Sequence, residues 1–169
     1  YLFHEDGAVT FIDFGCVKRF TTESMGDLKR FFRATIEEDR TEFDRLVQKI
    51  KLVRPGREWD RDRMWDHWRY HLEPYWSGDF AFTEDYLARG RETMSPKNTR
   101  DMNLPPDLLF FTRITFGLNA ISQQLGSRGN FHLGARRYFY QEEDALSGRG
   151  LVGGELPDRF KHPPHLHPR

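Results

Sequence analysis

The sequence lacks several features that would direct a protein to an oxidising compartment or into a membrane. Its only cysteine is Cys16, so no disulfide can form within the chain. It has no signal-peptide pattern at its start and no apolar run of about 18 residues, the length that spans a bilayer. Its 26 Lys and Arg residues balance its 26 Asp and Glu residues, which gives no overall field for nucleic acid. We therefore expect a cytoplasmic protein that does not bind nucleic acid and in which any anion site is local.

The composition is that of one globular domain followed by a tail. The chain has 169 residues, of which 37% are hydrophobic and 15% aromatic, enough for a single core. We expect the domain to occupy residues 1–147. Residues 148–169 are dominated by Gly, Pro and His and predict a disordered tail. Because the chain begins directly on strand-like residues without Met, we expect it to be part of a longer protein.

The pattern of apolar residues predicts a mainly α fold with one β-hairpin at its start. Two short apolar segments flank the turn-forming pair Asp6-Gly7, which indicates a hairpin over residues 1–14. Apolar residues at three-and-four spacing then predict a helical bundle within residues 21–147. The expected helices start near residues 21, 41, 59, 107 and 131, and residues 90–102 predict a surface connection. In the fourth helix we expect the stripe of Phe111, Ile114, Leu118, Ile121 and Leu125 to face the core.

The segment with the clearest chemical meaning lies at the end of the predicted hairpin. An apolar strand over residues 8–12 leads directly into Asp13-Phe14-Gly15, the metal-binding triplet of protein-kinase-like folds. A carboxylate suits Mg²⁺, which prefers oxygen ligands and bridges nucleotide phosphates. Gly15 allows a sharp turn, and Phe14 can fix the direction of Asp13 by packing. From the residues alone, a purely structural role is an open alternative to metal binding. In that case Asp13 caps the end of the strand and Phe14 fills the core.

The same residues resemble a known family. The sequence over residues 1–7 and 9–20 is similar to the segment of UbiB/AarF (ADCK) atypical kinases that directly follows their His-Pro-Gly-Asn motif. The later region that begins at Leu104-Pro105-Pro106 resembles the C-terminal part of that family more loosely. The resemblance implies a partial protein-kinase-like C-lobe in which Asp13 is the metal ligand and Phe14 and Gly15 are its neighbours at the cofactor site.

The resemblance also implies a function for the whole protein and indicates which functional residues this chain contains. Members of the family bind ATP and Mg²⁺ and support the biosynthesis of isoprenoid quinones such as ubiquinone, often near membranes. The other catalytic and nucleotide-binding motifs of the family precede the segment that begins at Tyr1. We therefore expect no catalytic residue in this chain beyond the metal ligand Asp13 and no activity of the chain alone. The alternatives are a small-molecule phosphotransferase related to aminoglycoside or choline kinases, and a non-catalytic helical interaction module.

Two weaker signals concern histidine and tryptophan. His67 and His71 lie four residues apart on the expected third helix, and we interpret them as surface or packing residues rather than metal ligands. The three histidines of the tail are interpreted as incidental. Tryptophans beside arginines on the third helix fit either core packing, which we favour, or association with a membrane or lipid. The sequence leaves the oligomeric state and the phosphoryl acceptor open.

Overall fold

The computed structural model of the protein describes residues 2–10, 12 and 19–140. This part of the chain is mainly helical, as predicted, with two small antiparallel sheets. The helices are α1 (Thr22–Ile36), α2 (Arg40–Lys49), α3 (Arg61–His71), α4 (Glu73–Trp76), α5 (Glu84–Thr93), α6 (Pro96–Thr99), α7 (Pro106–Gln124) and α8 (Phe131–Tyr140). The strands are β1 (Leu2–Phe3), β2 (Val9–Thr10), β3 (Phe80–Ala81) and β4 (Arg128–Gly129). Within the described ranges, no helix has the length and apolar character needed to cross a bilayer.

The expected hairpin is confirmed over the described residues 2–10. Strands β1 and β2 are antiparallel, and Leu2 pairs with Thr10. The turn between them depends on Asp6, whose Oδ1 accepts a hydrogen bond from the Ala8 amide at 2.9 Å, and on Gly7, whose φ is +84°. A positive φ is easily adopted only by glycine, so the Asp6-Gly7 pair determines where the chain reverses.

Side-chain caps start five of the described helices, one of which is α8, where Asn130 accepts a hydrogen bond from the Leu133 amide at 3.2 Å. Thr21 accepts a hydrogen bond from the Ser24 amide at 3.1 Å and begins α1, as the sequence predicts. Asp39, Asp60 and Thr83 cap α2, α3 and α5 in the same way. Each cap accepts a hydrogen bond from an amide that has no partner within the helix, so these short polar residues fix the helix starts.

The main core lies between α1, α2 and α3 and contains a cluster of aromatic rings among aliphatic side chains. The Phe31 ring stacks on Phe43 with centroids 5.1 Å apart and meets the edge of Trp68 at 4.9 Å. Trp68 is only 6% exposed. The tryptophans of the third helix therefore contribute to the core, as the favoured interpretation held. Arg69 lies over the Trp76 ring at 4.0 Å from its centroid, so this arginine covers an aromatic face.

Three expectations about the secondary structure need correction. The third helix does not run unbroken to Trp76: α3 ends at His71, and a short helix with Pro74 near its start follows. The expected surface connection over residues 90–102 instead contains the end of α5 and all of α6. The two-residue sheet between β3 and β4 was not expected at all.

A fourth correction concerns which face of α7 is buried. The helix itself is confirmed, but Ile114, Leu118 and Leu125 are 54%, 46% and 59% exposed. Leu108 and Asn119, on a different face, are buried. Phe111, at the start of the expected stripe, packs against the core and stacks on Phe32 with ring centroids 5.7 Å apart. The three exposed residues of the stripe instead face outward, and a more polar face packs inward among the described residues.

Candidate functional site

The residues that the sequence assigns to metal and nucleotide binding fall outside the described structure. Asp13, Phe14 and Gly15 all lie in the gap that covers residues 13–18. The described chain approaches this gap through the hairpin β1–β2 and leaves it at Arg19, two residues before the cap of α1. Their assignment as metal and cofactor ligands therefore stays a prediction. The expected tail over residues 148–169 also lies outside the described residues.

A groove of about 300 Å³ lies beside the start of α1. Asp27, on its wall, is 6% exposed, and its Oδ1 accepts a hydrogen bond from Lys49 Nζ at 2.7 Å and another from Arg30. Burial acts to raise the pKa of Asp27, but these two cations outweigh it and hold the pKa below its ordinary value. The carboxylate is therefore ionised and already paired. Its ion pair with Lys49 links α1 to α2.

A second cavity, of about 180 Å³, lies between α3, α7 and the segment that connects α5 to α7. Its lining is mostly apolar, and three of the four methionines of the chain contribute to it. Met94 and Leu104 are 37% and 38% exposed and mark its mouth. The complete lining is Leu52, Met64, His67, Trp68, His71, Leu72, Tyr75, Met94, Thr99, Met102, Asn103, Leu104, Phe111, Thr112 and Thr115. We refer to this space as the histidine cavity.

Three polar side chains of α3 lie on one wall of the histidine cavity. His67, Trp68 and His71 are 7%, 6% and 8% exposed. The centroids of the two imidazoles are 4.5 Å apart, and the indole ring lies within 6 Å of both. Among the described residues, His67 Nδ1, Trp68 Nε1 and His71 Nε2 have no hydrogen-bond partner. These three atoms are buried within the packing rather than exposed to the cavity. Buried polar atoms are nearly always paired, so three unpaired atoms close together on α3 call for an explanation.

Burial keeps both imidazoles of the histidine cavity neutral. Desolvation lowers the pKa of His67 to about 4, against a smaller opposing effect of a hydrogen bond with the Thr93 backbone. The pKa of His71 is lowered to about 3 by desolvation and by the nearby His67. Because a neutral imidazole has one donor and one acceptor nitrogen, each histidine keeps a definite hydrogen-bonding role at neutral pH.

The sequence interpretation of the two histidines as surface or packing residues is confirmed, with packing as the correct alternative. They are packing residues and not surface residues, and the described part of the chain contains no group of three or more His, Cys, Asp or Glu residues that could hold a metal. Sequence reasoning missed the cavity. The one available signal was the spacing of His67 and His71, which places them on the same side of α3 as Met64 and Trp68.

The chain has no match in the three comparisons made with known proteins, which covered protein-family models, curated proteins and solved structures.

Proposed function

We propose that this chain is the C-terminal portion of an ATP- and Mg²⁺-dependent atypical kinase or ATPase of the UbiB/AarF type, which supports the biosynthesis of isoprenoid quinones such as ubiquinone. The observation that carries the proposal is the position of Asp13-Phe14-Gly15 directly after a β-hairpin and before a helical region. This strand, loop and helix order is the setting in which such a triplet binds metal. The chain is expected to be inactive without the upstream part of the protein.

The described hairpin supports the proposal from one side of the triplet. The turn at Asp6-Gly7 and the pairing of Phe3 with Val9 define a hairpin whose second strand ends at Thr10, three residues before Asp13 in the sequence. From the other side, the capped start of α1 at Thr21 supports the expected change from strand to helix. A strand pair before the triplet and a capped helix after it suit a carboxylate that must be held in one place.

The proposed metal chemistry assigns a limited role to this chain. Asp13 supplies one carboxylate, the kind of oxygen ligand that Mg²⁺ prefers. When bound, the ion would neutralise charge on the phosphates of ATP. The residues of this chain are expected to hold the carboxylate in position. Phe14 is expected to pack against Asp13, and Gly15 to allow the turn that follows it. The remaining ligands are expected from the upstream part of the protein.

Nucleotide titration tests the proposal. We expect the 169-residue chain to bind Mg²⁺-ATP weakly or not at all, and a version extended upstream to bind it in a saturable, Mg²⁺-dependent way. Tight binding of Mg²⁺-ATP by the short chain would contradict the expectation that the upstream part of the protein supplies most of the nucleotide site.

A substitution at the metal ligand separates an enzyme from an interaction module. In the extended protein, Asp13→Ala should abolish the function of an enzyme, whereas a helical interaction module should keep its function. The identity of the upstream sequence separates a UbiB-type enzyme from a small-molecule phosphotransferase.

A further inference from the structure

We propose that the histidine cavity is a binding site for an uncharged, apolar molecule about the size of a single six-membered ring. The proposal is independent of the proposed nucleotide chemistry, because the cavity is lined only by residues between Leu52 and Thr115. It rests on three properties of the cavity: the polar contacts that hold one of its walls in place, its volume, and a mostly apolar lining without charged side chains.

Polar contacts fix the segment between α6 and α7, which forms one wall of the cavity. Asn103 donates through its amide and its side-chain Nδ2 to the carbonyls of Leu52 and Lys51, each at 2.7 Å. Arg63 Nη1 of α3 donates to Asp101 Oδ2 at 3.0 Å and ties the same segment to that helix. Empty space in a core persists where the surrounding structure cannot collapse into it. A wall held by these contacts therefore keeps the cavity open for a ligand.

The volume determines the size of the ligand. A cavity of about 150 Å³ lined by aliphatic and aromatic side chains is large enough to bind benzene. At about 180 Å³ the histidine cavity has room for one ring and little more. Met64, Met94 and Met102 on its walls are flexible and polarisable, so they can adapt to the shape of a ring. Met94 and Leu104 are exposed at the mouth, which provides a way in from solvent.

The lining determines the chemical class of the ligand. It contains no Asp, Glu, Lys or Arg, so a charged ligand would lose its hydration without gaining an opposite charge. The hydroxyls of Thr112 and Thr115 already donate to the carbonyls of Leu108 and Phe111. The three unpaired nitrogen atoms of α3 lie within the packing, so a ligand in the cavity does not reach them. A mostly apolar space holds water weakly, and displacing such water by an apolar group favours binding.

Methyl NMR of the methionines tests the proposal on the intact chain. Met64, Met94 and Met102 line the cavity, whereas Met25 in α1 does not and serves as an internal control. With ¹³C-methyl methionine and benzene as the ligand, we expect three methyl signals to shift in a saturable way and the Met25 signal to stay. Neutral pyridine has the size and shape of benzene but carries a nitrogen acceptor. It should bind about tenfold more weakly, the loss expected when a polar group leaves water without finding a partner.

A matched pair of methionine variants locates the bound ring. Met94→Ala removes part of the wall at the mouth and should weaken benzene binding severalfold, whereas Met25→Ala should leave it unchanged. The comparison of benzene with pyridine on the unaltered chain does not depend on whether either variant folds.

Three results would contradict the proposal. Absence of saturable methyl shifts with benzene would overturn it, because the cavity would then be closed to a ligand. Equal binding of benzene and pyridine would overturn the assignment of an apolar ligand. Equal effects of Met94→Ala and Met25→Ala on benzene binding would show that the ring binds outside the histidine cavity.

Discussion

Tyr70 and Tyr86 each donate a hydrogen bond to the backbone of the other. Tyr70 Oη donates to the Tyr86 carbonyl at 2.9 Å, and Tyr86 Oη donates to the Tyr70 carbonyl at 3.4 Å. The two rings stack with centroids 4.7 Å apart. This reciprocal pair joins α5 to the end of α3, and burial raises the pKa of both hydroxyls. The pair holds α5 beside the helix that carries the wall of the histidine cavity.

The Tyr70–Tyr86 pair depends on a glycine in α5. A Cβ at Gly90 would lie 2.2 Å from Tyr70 Oη, so Gly90→Ala must displace this hydroxyl from the Tyr86 carbonyl. We expect a loss of about 1–3 kcal/mol in the free energy of unfolding, as for other overpacked sites. Gly117→Ala in α7 is the matched control, since a Cβ there meets nothing within 4 Å. It should raise stability by about 0.5–1 kcal/mol through helix propensity. Urea unfolding measures both, and equal effects would contradict the close approach at Gly90.

The orientation of α7 can be tested with the same substitution on its two faces. Leu108 is 4% exposed and Leu118 is 46% exposed. Leu108→Ala should lower the free energy of unfolding by about 2–5 kcal/mol, because it leaves a hole in the core. Leu118→Ala should change it by about 0.5 kcal/mol or less. If thermal or urea unfolding shows the larger loss for Leu118→Ala, the apolar stripe faces the core and the described orientation of α7 is wrong.

The neutral histidines should make stability depend on pH. The unfolded chain binds protons on His67 and His71 near pH 6.5, whereas the folded chain does so only near pH 4 and pH 3. Between about pH 6.5 and pH 4 the unfolded state therefore holds more protons, and stability falls as the pH falls. Each buried histidine contributes a slope of about 1.4 kcal/mol per pH unit within this window. Urea unfolding at pH 7, 6 and 5 measures the slope.

His71→Leu should flatten this pH dependence, whereas His4→Gln on the exposed hairpin should leave it unchanged. His67 also borders a polar groove that contains Asp60, Asp62, Arg63 and Asp66. These charged groups are present in both variants, so their contribution cancels in the comparison. Parallel pH curves for the unaltered chain and His71→Leu would show that the imidazole is not held neutral by burial.

Turn-forming, capping and periodic apolar residues made the hairpin and helix α1 predictable from the sequence. Asp6-Gly7 identified the hairpin, and the Thr21 cap together with the spacing of Leu28 and Phe31 identified α1. Helix α5 was missed because half of its ten residues are charged, few are apolar and Gly90 lies within it, so no apolar stripe indicated a helix there. The contact of that glycine with Tyr70, a tertiary feature, explains why a residue of low propensity suits the position.

The faces of α7 and the histidine cavity could not be predicted from local patterns. The periodicity rule places the most apolar face of a helix inside, but the inner face of α7 carries Thr112, Thr115 and Asn119 beside Leu108. The two threonines border the cavity, which brings together residues as distant in sequence as Leu52 and Thr115. Such a space arises from the packing of several elements and has no sequence motif of its own. The metal site at Asp13 was identified by a motif and stays a prediction, since that residue lies outside the described ranges.

Mg²⁺-dependent ATP turnover by the upstream-extended protein tests the proposed role of Asp13 most directly. Asp13→Asn keeps the size of the side chain but removes the charge that binds the ion. Asp6→Asn makes the same change in the hairpin turn, where an amide oxygen can still accept from the Ala8 amide. We expect Asp13→Asn to lower turnover by about a hundredfold or more and Asp6→Asn to change it by about twofold or less. Full Mg²⁺-dependent turnover by Asp13→Asn would contradict the assignment of Asp13 as the metal ligand.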